Sequence, residues 1–360
     1  MRVQKSEMPI TVGIDEARDA ALGFLAKIGI VEPTRSKVVD VLIDAECRGH
    51  SSHGLALLET YAKRVRHGGI RPDALPSVYE GISTVTRICA NGGFGQVAAF
   101  AAAEIAAKRA KRDGMHAVAV YENNHIGMLA AYRNAFCAAE VVGLIFNISG
   151  PSVAPPKATK ATLGNNALCI IVPQGQNPPF IADMATGLVA SGKIRSLAAH
   201  GKTLPSGWLL DSKGRPTDDA SCLDLGGSVP VFGDHKGLVV HIFVEVLAGM
   251  LAGGRISAQV NRQRQSPDAV LFGSQLFVGL DPAAFGNRDL NTLVANLRHA
   301  VASGYDEDRI EFPYFPEQAE TQAVEEATNK GLNLDPTTAG FLGLTSDYQV
   351  QSKSAPAEVN

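Results

Sequence analysis

From Pro72 onward the chain alternates short β-branched or apolar runs with Gly, Pro and Asn turns, and one long alanine-rich helical stretch interrupts them. The run at 84–90 (TVTRICA) precedes an expected helix over 96–112, and further runs stand at 115–121, 142–148, 168–173, 180–182 and 275–281. Each is too short for a helix of typical length, and the turn residues around them favour strands. Strands alternating with helical segments predict an α/β fold, here a mixed sheet with helical layers. Before this region, apolar residues recur at helical spacing in 14–29 and again from Thr34 to Glu46, with a third helix through Leu55, Leu58 and Tyr61. The chain therefore opens on a helical lobe. The stretch 236–253 reads as a buried helix, 255–268 as a polar surface loop, and 288–303 as another helix. From Ser346 the composition is that of a frayed tail.

A chain of 360 residues is expected to hold about two domains. Its 45% hydrophobic and 19% charged content suits a globular core. With 33 basic against 36 acidic residues, nothing electrostatic favours nucleic acid or a membrane surface, so a small-molecule partner is expected. Cys47, Cys89, Cys137, Cys169 and Cys222 are odd in number and lack a C-x-x-C pair, which fits reduced thiols in the cytoplasm. The N-terminus lacks the apolar core of a signal peptide, and no run of about 18 apolar residues occurs.

The densest polar cluster, 46–54 (ECRGHSSHG), lies where one expected helix stops and the next begins. An imidazole titrates near working pH without help, so His53 suits proton transfer to or from a substrate oxygen, with the Ser52 hydroxyl orienting it. The plainer role, helix capping, suits His50. His50 and His53 are also three apart, as metal ligands on one helical face can be, but no third ligand has recognisable spacing, and no metal is expected. Gly93, Gly95 and Ala98 match G-x-G-x-x-A between a strand and a helix, with Glu122 after the next strand. The match fits a dinucleotide fingerprint poorly, and a glycine turn that starts a helix explains it as well. Asn123, Asn124 and His125 follow a strand, and 163–167 (LGNNA) precedes another. Asp183, Lys193 and Lys236 each lie close to glycine, in a setting that suits an anionic ligand.

The order of these segments resembles the malate/L-lactate dehydrogenase-like family of NAD(P)-dependent 2-oxoacid oxidoreductases, which includes ureidoglycolate, sulfolactate, diketogulonate and cyclic-imine carboxylate enzymes. RGHSSHGLALLETY (48–61), NNHIGML (123–129), NISGPSVAP (147–155), LGNNA (163–167), DMATGLVASGKI (183–194), LPSGWLLDSKGRPT (204–217) and GDHKGL (233–238) carry it, across most of residues 10–320. The resemblance implies a non-Rossmann cofactor-binding α/β domain with a mixed sheet over 76–284. It also implies a helical domain built from 1–75 with 285–345, a tail over 346–360, and a homodimer. His53, Ser52 and His125 match catalytic positions. Ser191, Gly192, Lys193, Asn165 and Arg48 are the expected substrate contacts. His125, Ser149, Asp183, Met184, Ala185, His235, Lys236, Pro316 and Glu317 are the expected contacts to NAD, with NADP as the alternative.

Two departures stand out. Many members carry an Arg five residues after the relay serine to clamp the substrate carboxylate, and this chain has Leu57, so Arg48, Lys193 or Arg195 would have to replace it. The late P-G-E pattern is reduced to Pro316 and Glu317. The expected reaction is hydride transfer between NAD(P)H and C2 of a small 2-oxo or 2-hydroxy acid. A non-catalytic dinucleotide-binding metabolite sensor and a cyclic-imine reductase are the alternatives, although Lys193 stands where the imine reductases have Asp.

Overall fold

The computed structural model describes residues 9–81, 84–199, 201–287, 289–305 and 315–345. Strand β1 (Ile10–Val12) leads to helices α1 (Ile14–Lys27) and α2 (Thr34–Cys47), and a 3-10 turn at Ser51–His53 precedes α3 (Leu57–His67). In α1, Asp15 and Glu16 stand in the first turn and Lys27 in the last, as the helix dipole favours, while Ala17, Ala21 and Leu25 form its buried stripe. α3 ends at Gly68, whose φ of 87° supplies the left-handed cap.

β2 (Ser77–Glu80) and β3 (Val85–Cys89) feed α4 (Gly95–Asp113), and then β4 (Met115–Asn123), α5 (Arg133–Ala139), β5 (Val142–Asn147) and the two-residue β6 (Val153–Ala154) follow. β7 (Ala167–Gln174) and β8 (Asn177–Ala185) form a hairpin before α6 (Ser191–Ala199). The short strands β9 (Leu209–Leu210), β10 (Pro216–Thr217) and β11 (Val229–Pro230) precede α7 (Asp234–Val244), which widens into a π-helical turn at Glu245–Met250. β12 (Gly273–Leu280), α8 (Leu290–Ala302), α9 (Gln318–Lys330), β13 (Leu332–Leu334) and α10 (Pro336–Leu342) complete the described chain.

Seven strands form one mixed sheet in the order β2-β3-β4-β12-β5-β7-β8. Only β3 and β4 run parallel, and every other neighbouring pair in this sheet is antiparallel. The late strand β12 lies at the centre, between β4 and β5. The alanine content of α4 is explained by its distance from the sheet: Ala99, Ala102, Ala103, Ala106 and Ala110 are all fully buried. The approach is so close that a Cβ on Gly279 of β12 would lie 2.6 Å from the carbonyl oxygen of Ala106. A second core joins the two ends of the chain. Leu25, Leu42 and Leu58 cluster with Ala327, Leu332, Leu334 and Ala339, and β1 pairs antiparallel with β13.

Three expectations change. The apolar run at 180–182 is the middle of a nine-residue strand, masked at one end by Asn177 and two prolines and at the other by the cleft-facing Asp183. The stretch 236–253 is not a buried helix. Ile242, Phe243, Met250 and Leu251 are exposed, and the inner face buries His241, Glu245 and Ala248. The usual pattern is inverted here, with the polar residues inside and the apolar ones outside, which hid the face that turns inward. α8 forms as expected but packs on β7 of the sheet. The expected tail, 346–360, lies outside the described residues.

Replacing Gly279 with Val should lower the free energy of unfolding by about 1–3 kcal/mol, because α4 must lift from the sheet. Urea denaturation measures this, and an unchanged midpoint would contradict the packing.

Candidate active site

Two polar segments meet in a cleft of about 430 Å³, a volume suited to a small ligand. The first begins just past α2, at Gly49 (φ 77°), and the chain then turns through Ser51–His53. The buried Glu46 carboxylate accepts the Leu55 amide at 2.7 Å, and burial raises its pKa to about 7. A Cβ on Gly54 would lie 2.1 Å from that carboxylate, so the glycine lets Glu46 fix the turn carrying His53. Ser52 Oγ lies 3.0 Å from His53 Nδ1.

The second segment leaves the end of β4. His53 and His125 stack at 5.8 Å between centroids and 24° between planes. The Tyr61 hydroxyl, 2.9 Å from His125 Nδ1, accepts from Gln96 Nε2 at 2.9 Å. The Gly127 amide also donates to His125 Nδ1, at 3.3 Å. With Nδ1 accepting from both, a neutral His125 carries its proton on Nε2. Burial lowers His53 to about 4 and His125 to about 3, and each also feels another histidine, His50 for the first and His53 for the second.

Asn123 and Asn124 are buried, and their amides are spent within the protein. Asn123 Nδ2 donates to Gln275 Oε1 at 2.8 Å. Asn124 Nδ2 donates to the carbonyls of Gly92 and Gly93, and its Oδ1 accepts from Arg64 and the Leu271 amide. This gives Gly93 and Gly95 a purpose within the fold. A Cβ on Gly95 would meet the His125 carbonyl oxygen at 2.3 Å, so the glycines admit the second segment.

On the opposite wall, Ser149 Oγ accepts the Asn165 amide at 2.9 Å, and the Ser149 amide donates to Asn166 Oδ1 at 3.1 Å. Asn166 Nδ2 in turn donates to Glu245 Oε1 at 2.8 Å, and Glu245 also accepts the Ser257 amide and hydroxyl. The π-helical turn thus supports this wall from behind. Asp183, Met184 and Ala185 line the cleft at the end of edge strand β8. Asp183 is open to the cleft but deep within it. Poor solvation raises its pKa to about 6 despite the Ala130 amide, which donates to it at 2.9 Å.

The cleft brings together Ser52, His53, His125, Ser149, Asn165, Asp183, Met184, Ala185, Ser191 and Gly192. Ser191 and Gly192 begin α6, and Gly192 packs so closely on Ser52 that a Cβ would lie 2.4 Å from the serine's own. The other expected residues lie elsewhere. Arg48 is 8% exposed and bridges Asp44 and Glu317 at 3.4 Å each. Lys193 extends over the Trp208 ring, 5.4 Å from its centroid. His235 and Lys236 stand exposed in the first turn of α7. Pro316 and Glu317 line a different cavity, of about 780 Å³, beside α8 and α9. These six residues do not line the cleft in this conformation. No group of three or more potential metal ligands occurs among the described residues.

Sequence reading missed one wall entirely. Residues 260–265, taken as part of a surface loop, line the cleft with Arg262, Gln263, Arg264 and Gln265. Their polarity is the same whether they face bulk water or a ligand site. A usable signal was Arg64, which sits three residues after Tyr61 on the apolar face of α3 and is 1% exposed.

A sequence model described as malate/L-lactate dehydrogenase matches residues 12–342. L-sulfolactate dehydrogenase of Methanothermobacter thermautotrophicus is 31% identical over 266 residues, 74% of this chain and 77% of that protein. Hydroxycarboxylate dehydrogenase B of Escherichia coli is 30% identical over 315 residues, 86% of each. A dehydrogenase structure from Sinorhizobium meliloti superposes with a TM-score of 0.86 at 26% identity, covering 94% of this chain and 98% of that one. The chain belongs to the malate/L-lactate dehydrogenase family.

Proposed function

We propose that this chain is an NAD(P)-dependent oxidoreductase that interconverts a small 2-hydroxy acid and its 2-oxo acid, with His53 as the proton-transfer residue. The observation that carries this is the stacked pair of imidazoles, His53 and His125, in one cleft with Ser52. The donor set fits a nicotinamide: Met184, 44% exposed, offers an apolar platform beside the polar Asp183, and β8 is an edge strand with backbone groups not used by the sheet. When bound, the cofactor supplies or accepts the hydride at C2 of the acid. NAD is the proposed cofactor, with NADP the alternative that a direct comparison of the two decides.

His53 enters neutral at pH 7, because burial holds its pKa at about 4. If its Nδ1–H donates to Ser52 Oγ, the Nε2 lone pair is free to take the hydroxyl proton as hydride leaves C2. In reduction the same nitrogen returns a proton to the carbonyl oxygen, and an anionic substrate nearby raises the imidazole toward the charged form it needs. We assign His125 a different role. With Nδ1 occupied by Tyr61 and Gly127, and its pKa at about 3, it acts as a neutral donor through Nε2. The division into a helical domain (1–75 with 285–345) and a non-Rossmann cofactor domain (76–284) is part of this proposal. The shared core of the two chain ends and the single parallel pair in the large sheet support it, with α8, which packs on β7, set against the sheet and not in that core.

We also propose a homodimer, formed through the apolar face of α7 and its π-helical extension. Ile242, Phe243, Val246, Met250 and Leu251 are 42–67% exposed there, an unusual cluster to leave in water. The cytoplasm is the proposed compartment. The five cysteines are unpaired, and no described helix is long and apolar enough to cross a membrane.

His53→Ala should reduce turnover by roughly 100-fold or more with the best 2-oxo acid, while NADH binding followed by fluorescence stays within about twofold. Turnover like that of the unaltered protein would remove His53 from the chemistry. Phe243→Asp should convert the dimer to monomer in light scattering after size exclusion, and a mass that does not change would place the interface elsewhere.

A further inference from the structure

Leu57 lies at the cleft with 6% of its surface exposed and cannot hold a carboxylate. Arg48 and Lys193 are engaged elsewhere, and Arg195, which does reach the cleft, is held by Asp224 in a two-pronged pair at 2.8 and 2.9 Å. The loop after Val260 supplies two more cations. Arg262 is half-buried and Arg264 exposed, both at the cleft, and neither side chain has a hydrogen bond or ion pair among the described residues.

The loop is rigidly placed. Arg64 Nη1 donates to the carbonyls of Gln263 and Ser266 at 3.1 and 2.8 Å, and Nη2 donates to that of Ala269 at 2.7 Å. The same guanidinium reaches Asn124 Oδ1 at 3.1 Å, and the Leu271 amide donates to that oxygen as well. The loop is therefore pinned to α3, just after His53, and to the segment that carries His125. With the backbone fixed, only the side chain's own rotamers remain to be ordered when such a guanidinium binds. Arg264 also lies close enough to feel the charges of Arg195 on α6, Asp224 and Glu59 on α3, and it lines the same cleft as Leu57 and Ser52.

We propose that Arg264, assisted by Arg262, is the carboxylate anchor of the substrate site and sets specificity in place of an arginine at position 57. This rests on the 2-oxo acid reading above. The anchor acts from the loop wall, while Leu57 leaves the α3 side of the site apolar. The site thus selects acids by a fork presented from a different side of the cleft.

The test is calorimetric titration of oxalate, with and without NADH, into the full chain and its Arg264→Ala, Arg264→Lys and Arg262→Ala/Arg264→Ala variants. Oxalate affinity should fall roughly tenfold or more in Arg264→Ala and further in the double variant, and recover in part with lysine. NADH affinity should stay within about twofold. With the best 2-oxo acid, KM should rise far more than kcat falls. Unchanged oxalate affinity in Arg264→Ala, or no oxalate binding by the unaltered protein, would overturn the anchor. Loss of NADH or NADPH affinity without loss of oxalate would also overturn it, by assigning the arginines to the cofactor. If oxalate binds through Arg264 but no 2-oxo acid oxidises NADH or NADPH, the redox reading fails and the anchor stands.

Discussion

One face of α3 sets the geometry of the cleft. Tyr61 and Arg64 lie three residues apart, so their side chains share that face, and both are almost completely buried. Tyr61 reaches His125, and Arg64 reaches Asn124 together with the loop that follows Gln263. The helix that follows His53 therefore grips both of the other segments that form the site. Burying a guanidinium is costly, and five hydrogen bonds to fixed oxygens are what make it tolerable here. A buried charge left without such partners costs on the order of 3–5 kcal/mol, a large share of a typical folding free energy.

The same burial governs the chemistry. Two histidines stacked in a poorly solvated cleft cannot both be charged, and both are driven well below the usual imidazole range. The sign has a consequence for stability. A histidine depressed in the folded state favours folding above its unfolded pKa near 6.5, and that contribution is lost as pH falls through 6.5 toward about 4. Glu46 works in the opposite direction. Its raised pKa favours the fold while it is protonated, and this advantage declines as pH climbs from the ordinary carboxylate range toward about 7. The turn that carries His53 thus has a buried carboxyl on one side and an imidazole on the other, both of which prefer to be neutral.

Much of this was legible in the sequence. The alternation of apolar runs and turns marked most of the large sheet, and α4 was readable from its alanines. Polar residues at helix junctions and strand ends located Ser52, His53 and His125. Three things were not legible. The stretch after Lys236 turns its polar residues His241 and Glu245 inward and its apolar side outward, the reverse of the usual pattern, so its exposed side was missed. Polar residues such as Arg262 and Arg264 look alike on a surface loop and on a cleft wall. Which cations are already committed depends on partners far away in sequence, as with Arg48 and Glu317, 269 residues apart.

We propose that burial keeps His53 neutral until a substrate anion and cofactor restore its proton affinity. The most direct measurement is a histidine-selective NMR titration of the free protein and of its complex with NADH and oxalate, with His53 assigned by substitution. The expected midpoint is near 4 in the free protein and is displaced upward in the complex. A midpoint near 6.5 that the ligands leave unmoved would contradict it.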